Sequence, residues 1–165
     1  MTFEIALRPA EVGDLPAICR LHALSFEALA IAEHSPAQVA AHTALTLAPE
    51  YQIDVRQSHL MLAISAAGEI VATAGWIEVP EEPGTARVRK VFVHPDWARR
   101  GLASRLVQDA ERRALAAGFR RMVVRANRNA VPFYRKLGYQ PLRDGVMATP
   151  GGIELPVTFM EKRGA

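Results

Sequence analysis

Two stretches of the chain bring together residue types that can handle an anion and move a proton. The first runs Val91-Phe92-Val93-His94-Pro95-Asp96-Trp97-Ala98-Arg99-Arg100-Gly101-Leu102-Ala103. Its β-branched start reads as a strand, its end opens an apolar-periodic helix, and the loop between them carries two arginines and a glycine. The first turn of a helix leaves backbone N–H groups unpaired and holds the positive end of the dipole, so an anion is favoured there. Gly101 has no β-carbon to keep a pyrophosphate away from the main chain. The second stretch is Asn127-Arg128-Asn129-Ala130-Val131-Pro132-Phe133-Tyr134-Arg135-Lys136-Leu137-Gly138-Tyr139. It reads as a short helix with Tyr134 near its end, cut by Gly138 just before a strand. A tyrosine hydroxyl, of reference pKa around 10, is protonated at neutral pH and can donate a proton.

No nucleotide fingerprint accompanies them: neither G-x-G-x-x-G nor G-x-x-x-x-G-K-[ST] occurs. A general base is harder to place. The strand that begins near Ala86 offers Arg87, Arg89 and Lys90 but no carboxylate. Glu78, at the end of the preceding strand, is the best candidate, with Glu33 and His34 as lesser ones; Glu78 also reads as surface beside Glu81 and Glu82. Histidines stand at 22, 34, 42, 59 and 94, without metal-ligand spacing. His22 and Cys19 lie on the apolar stripe of a helix and read as packed core.

The elements that must position these residues follow from periodicity. Phe3, Ile5 and Leu7 alternate as in a strand, and Asp14 is placed to cap a helix whose Leu15, Ile18, Cys19, His22, Phe26 and Leu29 recur at helical spacing. Ser35-Pro36 opens a second helix to about Leu47. Residues 48–58 show no clear period. The stretches 59–65 and 69–77, joined at Ala66-Ala67-Gly68, read as an antiparallel hairpin. Residues 86–93 form a further strand. The helix at 102–117 buries Leu102, Ala103, Leu106, Val107, Ala110 and Ala114, turns Arg105, Asp109, Arg112 and Arg113 outward, and ends at Gly118. A strand at 122–125, a short helix at 130–137 and strands at 139–142 and 156–161 complete one α/β domain over 1–165. The strand–helix–strand unit at 86–125 implies one parallel pair inside a mixed sheet.

Composition narrows the class. At 165 residues the chain is one domain's length, half hydrophobic and 22% charged, which excludes disorder. Its apolar runs are far short of a membrane span, and Thr2-Phe3-Glu4 begins no basic-then-apolar leader. With Cys19 alone there is no internal disulfide, so the cytoplasm is the expected compartment. Charge is uneven: residues 87–128 carry twelve basic and three acidic side chains, residues 1–86 three and eleven. Such an arginine island suits phosphate or nucleic acid, but aromatics for base stacking are missing from 98–128. The acidic first half hints at a cationic ligand on its side.

Together the two stretches resemble the GCN5-related N-acetyltransferase (GNAT) superfamily. Residues 98–103 match its Q/R-x-x-G-x-G/A loop, except that Ala98 stands where Gln or Arg is usual, and residues 127–139 match its N-x-x-A-x-x-F-Y-x-K-x-G-F/Y segment. The resemblance implies an α/β (α+β) fold with a mixed, mostly antiparallel sheet, one central parallel pair and helices on both faces. It implies acetyl-CoA as cosubstrate, no metal, and an amine acceptor on a small molecule or peptide. Nucleic acid and membrane are not expected partners, and a homodimer is left open. The backbone of Val91, Phe92 and Val93 would bond the pantetheine arm, and the loop from Ala98 through Arg99, Arg100, Gly101, Leu102 and Ala103 would hold the pyrophosphate, with Arg99 or Arg100 supplying charge. Asn127 would contact the pantetheine region, Tyr134 would face the thioester sulfur, and Arg128 is a candidate for the 3′-phosphate. A non-catalytic acyl-CoA-binding or sensing domain would keep the same cleft.

Overall fold

The computed structural model describes residues 4–164; Thr2 and Phe3 of the expected leader-free start and first strand lie outside the described residues. Seven strands form one sheet: β1 (Ile5–Pro9), β2 (Met61–Ser65), β3 (Ile70–Glu78), β4 (Thr85–Val93), β5 (Arg121–Asn127), β6 (Gln140–Ala148) and β7 (Glu154–Arg163). Their order is β1-β2-β3-β4-β5-β7-β6. All neighbours are antiparallel except β4 and β5. Helix α4 (Leu102–Ala116) covers one face, where its Leu106, Val107, Ala110 and Ala114 join Met61, Ala63, Val88 and Met122 in the main core. Helix α1 (Leu15–Leu29) covers the other with Ile18 and Cys19 against Leu60 and Leu62. No helix among the described residues is long and apolar enough to cross a membrane.

Local chemistry explains most element ends. Ser35 accepts the Gln38 N–H at 3.1 Å while Gln38 accepts the Ser35 N–H at 2.9 Å, so α2 (Pro36–Thr46) opens with both orphan donors satisfied. Gly118 and Gly138 close α4 and α5 (Val131–Lys136) at φ +102° and +97°.

Four expectations are corrected. Residues 48–58 hold a helix, α3 (Pro49–Gln57), hidden because only Tyr51 and Val55 are buried, too few to show a period. Asp14 stands at the N-cap position of α1 but gives the helix no side-chain hydrogen bond: a 3-10 turn at Val12–Asp14 precedes the helix, so its backbone is already helical and its carboxylate instead binds Arg8 at 2.7 and 2.9 Å. Asp109, expected outside, is buried beneath Arg113 at 2.8 Å and Arg112 at 3.3 Å. The strand expected at 139–142 runs to Ala148, because β7 pairs with it along its whole length.

Two irregularities of β4 matter most. It pairs with β5 only through Thr85–Arg87 against Arg121–Val123, after which β5 follows β7 and the two strands part. Against β3 its register slips: Thr73 faces Phe92 but Gly75 faces Arg89, so β4 carries one extra residue, and Lys90 takes φ +57°. A bulge of this kind reverses which face the side chains address.

Candidate active site

The parting of β4 and β5 leaves one edge of β4 without a strand partner beyond Arg87. Backbone groups on such an edge accept an extended ligand as they would a strand. Val93 N–H makes only a long bond, 3.4 Å, to Ser25 Oγ. Two cavities open along this edge. The first, about 200 Å³, is mostly apolar and reaches from Phe26 and Val93 to Ala103 in the first turn of α4 and Phe133 of α5. The second, about 280 Å³, lies on the α1–α3 side and is lined by Tyr51, Asp54, Arg87, Arg89, Lys90 and Arg125, among others. They share Val91, Phe92, Asn127, Ala130 and Tyr134.

At the far end of the first cavity, Gly101 stands as N-cap of α4 at φ +79°, and Arg99 adopts φ +63°. The left-handed backbone demands glycine at 101; a Cβ there would meet no protein atom within 4 Å, so the space before it is open. The first helical bond is from Arg105 N–H to Gly101 C=O, 3.0 Å, which leaves the preceding amides of the first turn without a helical acceptor. No acidic side chain occupies that turn. Arg100 lies over the Trp97 ring at 4.7 Å.

Tyr134 is buried, with its ring edge-on to Phe133 and Tyr139. Its hydroxyl has no hydrogen-bond partner among the described residues, and burial alone raises its pKa above the usual tyrosine range. It therefore stays protonated throughout the neutral range.

In the second cavity the bulge puts Lys90 and Phe92 on the same face as Arg89. Arg89 meets Asp54 of α3 at 3.4 Å, Lys90 Nζ lies 4.0 Å over the Tyr51 ring, and Phe92 stacks on His22 of α1 at 4.1 Å. All address the α1–α3 side, while Val88 and Val91 address α4. Beneath them runs a buried chain: Tyr51 Oη to His22 Nδ1 at 2.6 Å, His22 Nε2 to Thr73 Oγ1 at 2.8 Å, and Thr73 Oγ1 to the Lys90 carbonyl at 2.7 Å. The carbonyl can only accept, so Thr73 donates to it and accepts from Nε2–H; Nδ1 then accepts from Tyr51. Burial, with Lys90 and His42 adding to it, keeps His22 neutral by holding its pKa well below the usual value. Lys90 itself is pushed down to about 8, first by burial and then by Arg89.

The structure thus gathers Val91, Phe92, Val93, Ala103, Asn127 and Tyr134 around two adjoining cavities. Arg99, Arg100, Gly101 and Leu102 form the turn into α4, with Leu102 facing the core; Ala98 lies just before it, its N–H on the Pro95 carbonyl at 3.3 Å. Arg128 is exposed in a 3-10 turn. Glu78 is not brought to the site: it is exposed opposite Ala86, at the end where β4 and β5 are still paired, and lines neither cavity. Glu33 is exposed, and His34 is buried on the Ala30 carbonyl at 2.9 Å; neither lines these cavities. Sequence reading missed Tyr51 and Asp54 because their helix shows no period, and Arg125 because it was one of many arginines. Among the described residues no group of three or more His, Cys, Asp or Glu could hold a metal.

Comparison with known proteins adds independent findings. A sequence-family profile described as the acetyltransferase (GNAT) family matches residues 17–139. A UPF0039 protein of Schizosaccharomyces pombe is 31% identical over 98 residues, 58% of this chain and 63% of the yeast protein, so the match spans less than two thirds of that relative. Among solved structures, a GCN5-related N-acetyltransferase from Rhodopseudomonas palustris superposes with TM-score 0.84 at 25% identity, covering 99% of this chain and 98% of that one. PaiA N-acetyltransferase from Thermoplasma acidophilum, solved with coenzyme A, gives 0.74 at 15% identity, covering 97% and 99%. A phosphinothricin acetyltransferase from Sinorhizobium meliloti, solved with acetyl-CoA, gives 0.67 at 19%, covering 98% and 89%.

Proposed function

The chain belongs to the acetyltransferase (GNAT) family, and on that premise we propose that it moves an acetyl group from acetyl-CoA to a primary amine of a small molecule or peptide. The carrying observation is that Tyr134 stands in the wall shared by an apolar cavity, which ends at the first turn of α4, and a second, cationic cavity. A donor and an acceptor entering from the two sides would meet at its hydroxyl.

The residues fit the cosubstrate. The unpaired edge of β4 and the weakly held Val93 N–H suit an amide-bearing arm, and the orphan amides after Gly101 suit a pyrophosphate. The ligands of the PaiA and phosphinothricin acetyltransferase structures support the same reading. When bound, acetyl-CoA supplies an acyl group already activated as a thioester. In this proposal the main chain of Val91, Phe92 and Val93 holds the arm, and Asn127 contacts it near the end of β5. The turn Arg99 to Ala103 holds the phosphates, with Arg99 and Arg100 adding charge.

Tyr134 Oη gives its hydrogen to the departing sulfur. Because its hydroxyl is otherwise unpartnered, the interaction is reserved for the moment when negative charge develops. General-acid help of this kind is worth roughly 10²–10⁴-fold, about 3–5 kcal/mol. Glu78 takes no part, being outside the cavities. The cationic second cavity instead disfavours the ammonium form of the acceptor and so eases loss of its proton.

Thiol release from acetyl-CoA across an amine panel tests this, with wild type beside Tyr134→Phe. The variant is expected to bind coenzyme A normally and to lose roughly 10²–10⁴-fold in turnover. Equal turnover at every pH would remove Tyr134 from the mechanism. Coenzyme A binding without thiol release for any amine would favour a sensing domain.

A further inference from the structure

Building on the acetyltransferase reading, we infer that the acceptor amine carries an anionic group of its own, a carboxylate or a phosphonate-type group, which Arg87, Arg89 and Arg125 bind in the second cavity. Four cations, Arg87, Arg89, Lys90 and Arg125, line this cavity against one carboxylate, Asp54. That carboxylate is nearly half exposed and reaches only Arg89, at 3.4 Å. Arg87 makes no ion pair among the described residues, and its Nε is shut away from water with no hydrogen-bond partner. A guanidinium held this way lacks the acceptors its planar fork is built to use.

Geometry makes the cluster a site and not a scatter of surface charge. Arg87 lies where β4 and β5 are last paired, opposite Val123, and Arg125 is two residues further along β5 as the strands part. The two arginines therefore flank the closed end of the cleft. The bulge at Lys90 keeps Arg89 on the same side as Lys90 and Phe92. Burial depresses the pKa values of Arg87 and Arg89, and like-charged Arg125 adds to both, so an anion there would relieve a standing repulsion.

The phosphates of a cosubstrate do not account for this cluster. Four residues of strand separate Arg87 from Val91, about 13 Å at 3.3 Å per residue, and the turn into α4 lies further still in the same direction. A polycationic acceptor would be repelled. At about 280 Å³ the cavity sits at the small end of ligand pockets, roughly 300–1,000 Å³, and suits a molecule of amino-acid size. In such an acceptor the anion sits between Arg87 and Arg125 while the amine points along the cleft toward Tyr134. The nitrogen then attacks the thioester carbonyl, the carbon–sulfur bond breaks, the sulfur takes the proton of Tyr134 Oη, and the proton shed by the amine nitrogen goes to water, from which Tyr134 is reprotonated.

The test uses matched amines: alanine and glutamate beside their amides, aminoethylphosphonate beside its diester, and butylamine and putrescine as neutral-bodied and dicationic controls. Thiol release should give kcat/KM at least 100-fold higher for the carboxylate or phosphonate member than for its uncharged partner, and the better class of acid, carboxylate or phosphonate, identifies the anion. Arg125→Gln, at an exposed position, should raise KM for that acceptor at least tenfold and narrow the preference; Arg87→Gln should do the same, with coenzyme A affinity reporting that each variant is folded. Equal rates for acids and amides, or a preference for putrescine, would overturn the inference and leave acetyl transfer standing. Calorimetric titration of the coenzyme A-loaded protein with the same acids separates the two ideas. Binding that Arg125→Gln abolishes, without turnover of any amine, upholds the anion site and refutes the transfer reading; no binding and no preference refutes the anion site.

Discussion

His42 offers a quantitative test of how the α1–α2 side of the site is built. Its ring lies 3.9 Å from that of Phe26, nearly parallel, and 5.7 Å from Phe92. Its Nδ1 is buried without a partner among the described residues. Burial first, then the positive charge of Lys90 and the proximity of His34, pushes the imidazole down from 6.5 to about 4. Between those values the unfolded chain binds a proton that the folded chain refuses. The stability this group contributes is therefore whole above pH 6.5 and is lost as pH falls toward 4. Linkage makes the loss about 2 kcal/mol by pH 5 and about 3 kcal/mol by pH 4. His42→Phe keeps the stack and removes the titration. Urea or thermal unfolding of both proteins at pH 7.5, 6 and 5 should show wild type losing about 2 kcal/mol more than the variant, roughly 4–8 °C in Tm for a chain of this size. His22, depressed in the same direction, stays in both proteins, so the variant remains acid-sensitive with a shallower slope. Parallel stability curves across this range would refute the reasoning.

Two further outcomes bear on the site. Gly101→Val forces a β-branched residue to φ +79°, costing about 1–2 kcal/mol, and turns the first amides of α4; coenzyme A affinity by calorimetry should fall at least about tenfold, and unchanged affinity would sink the phosphate role of this turn. Glu78→Gln should leave kcat/KM for the best amine within about twofold, since the side chain is exposed and off the cleft; a loss of 10²-fold or more, in the range of general-base catalysis, would restore it as the base.

Local signals in the sequence determined a good deal. Hydrophobic alternation, the Ser35-Pro36 start, Gly118 and Gly138 place most strands and helices to within a few residues, because these cues act on the backbone at short range. The two motif stretches likewise fix which residues turn into α4 and where Tyr134 stands, since both are contiguous in the chain. Helix α3 escaped, because two buried residues in nine make no period. Glu78 lies off both cavities, since nearness in sequence to β4 says nothing about which end of β4 faces the cleft.

The second cavity belongs to the tertiary structure alone. Strand alternation alone could not say where Arg87 and Arg89 point: burial of Ala86 and Val88 beneath α4 turns both arginines to the other face, and a single extra residue opposite Thr73–Gly75 brings Lys90 and Phe92 to that face as well. The acidic first half of the chain hinted at a cationic ligand, yet the cavity is cationic. Most of those carboxylates lie elsewhere on the surface, and only Asp54 reaches the cavity to face arginines gathered from β4 and β5. Net charge sums over sequence, whereas a ligand feels only the groups that the fold brings within a few ångströms of it.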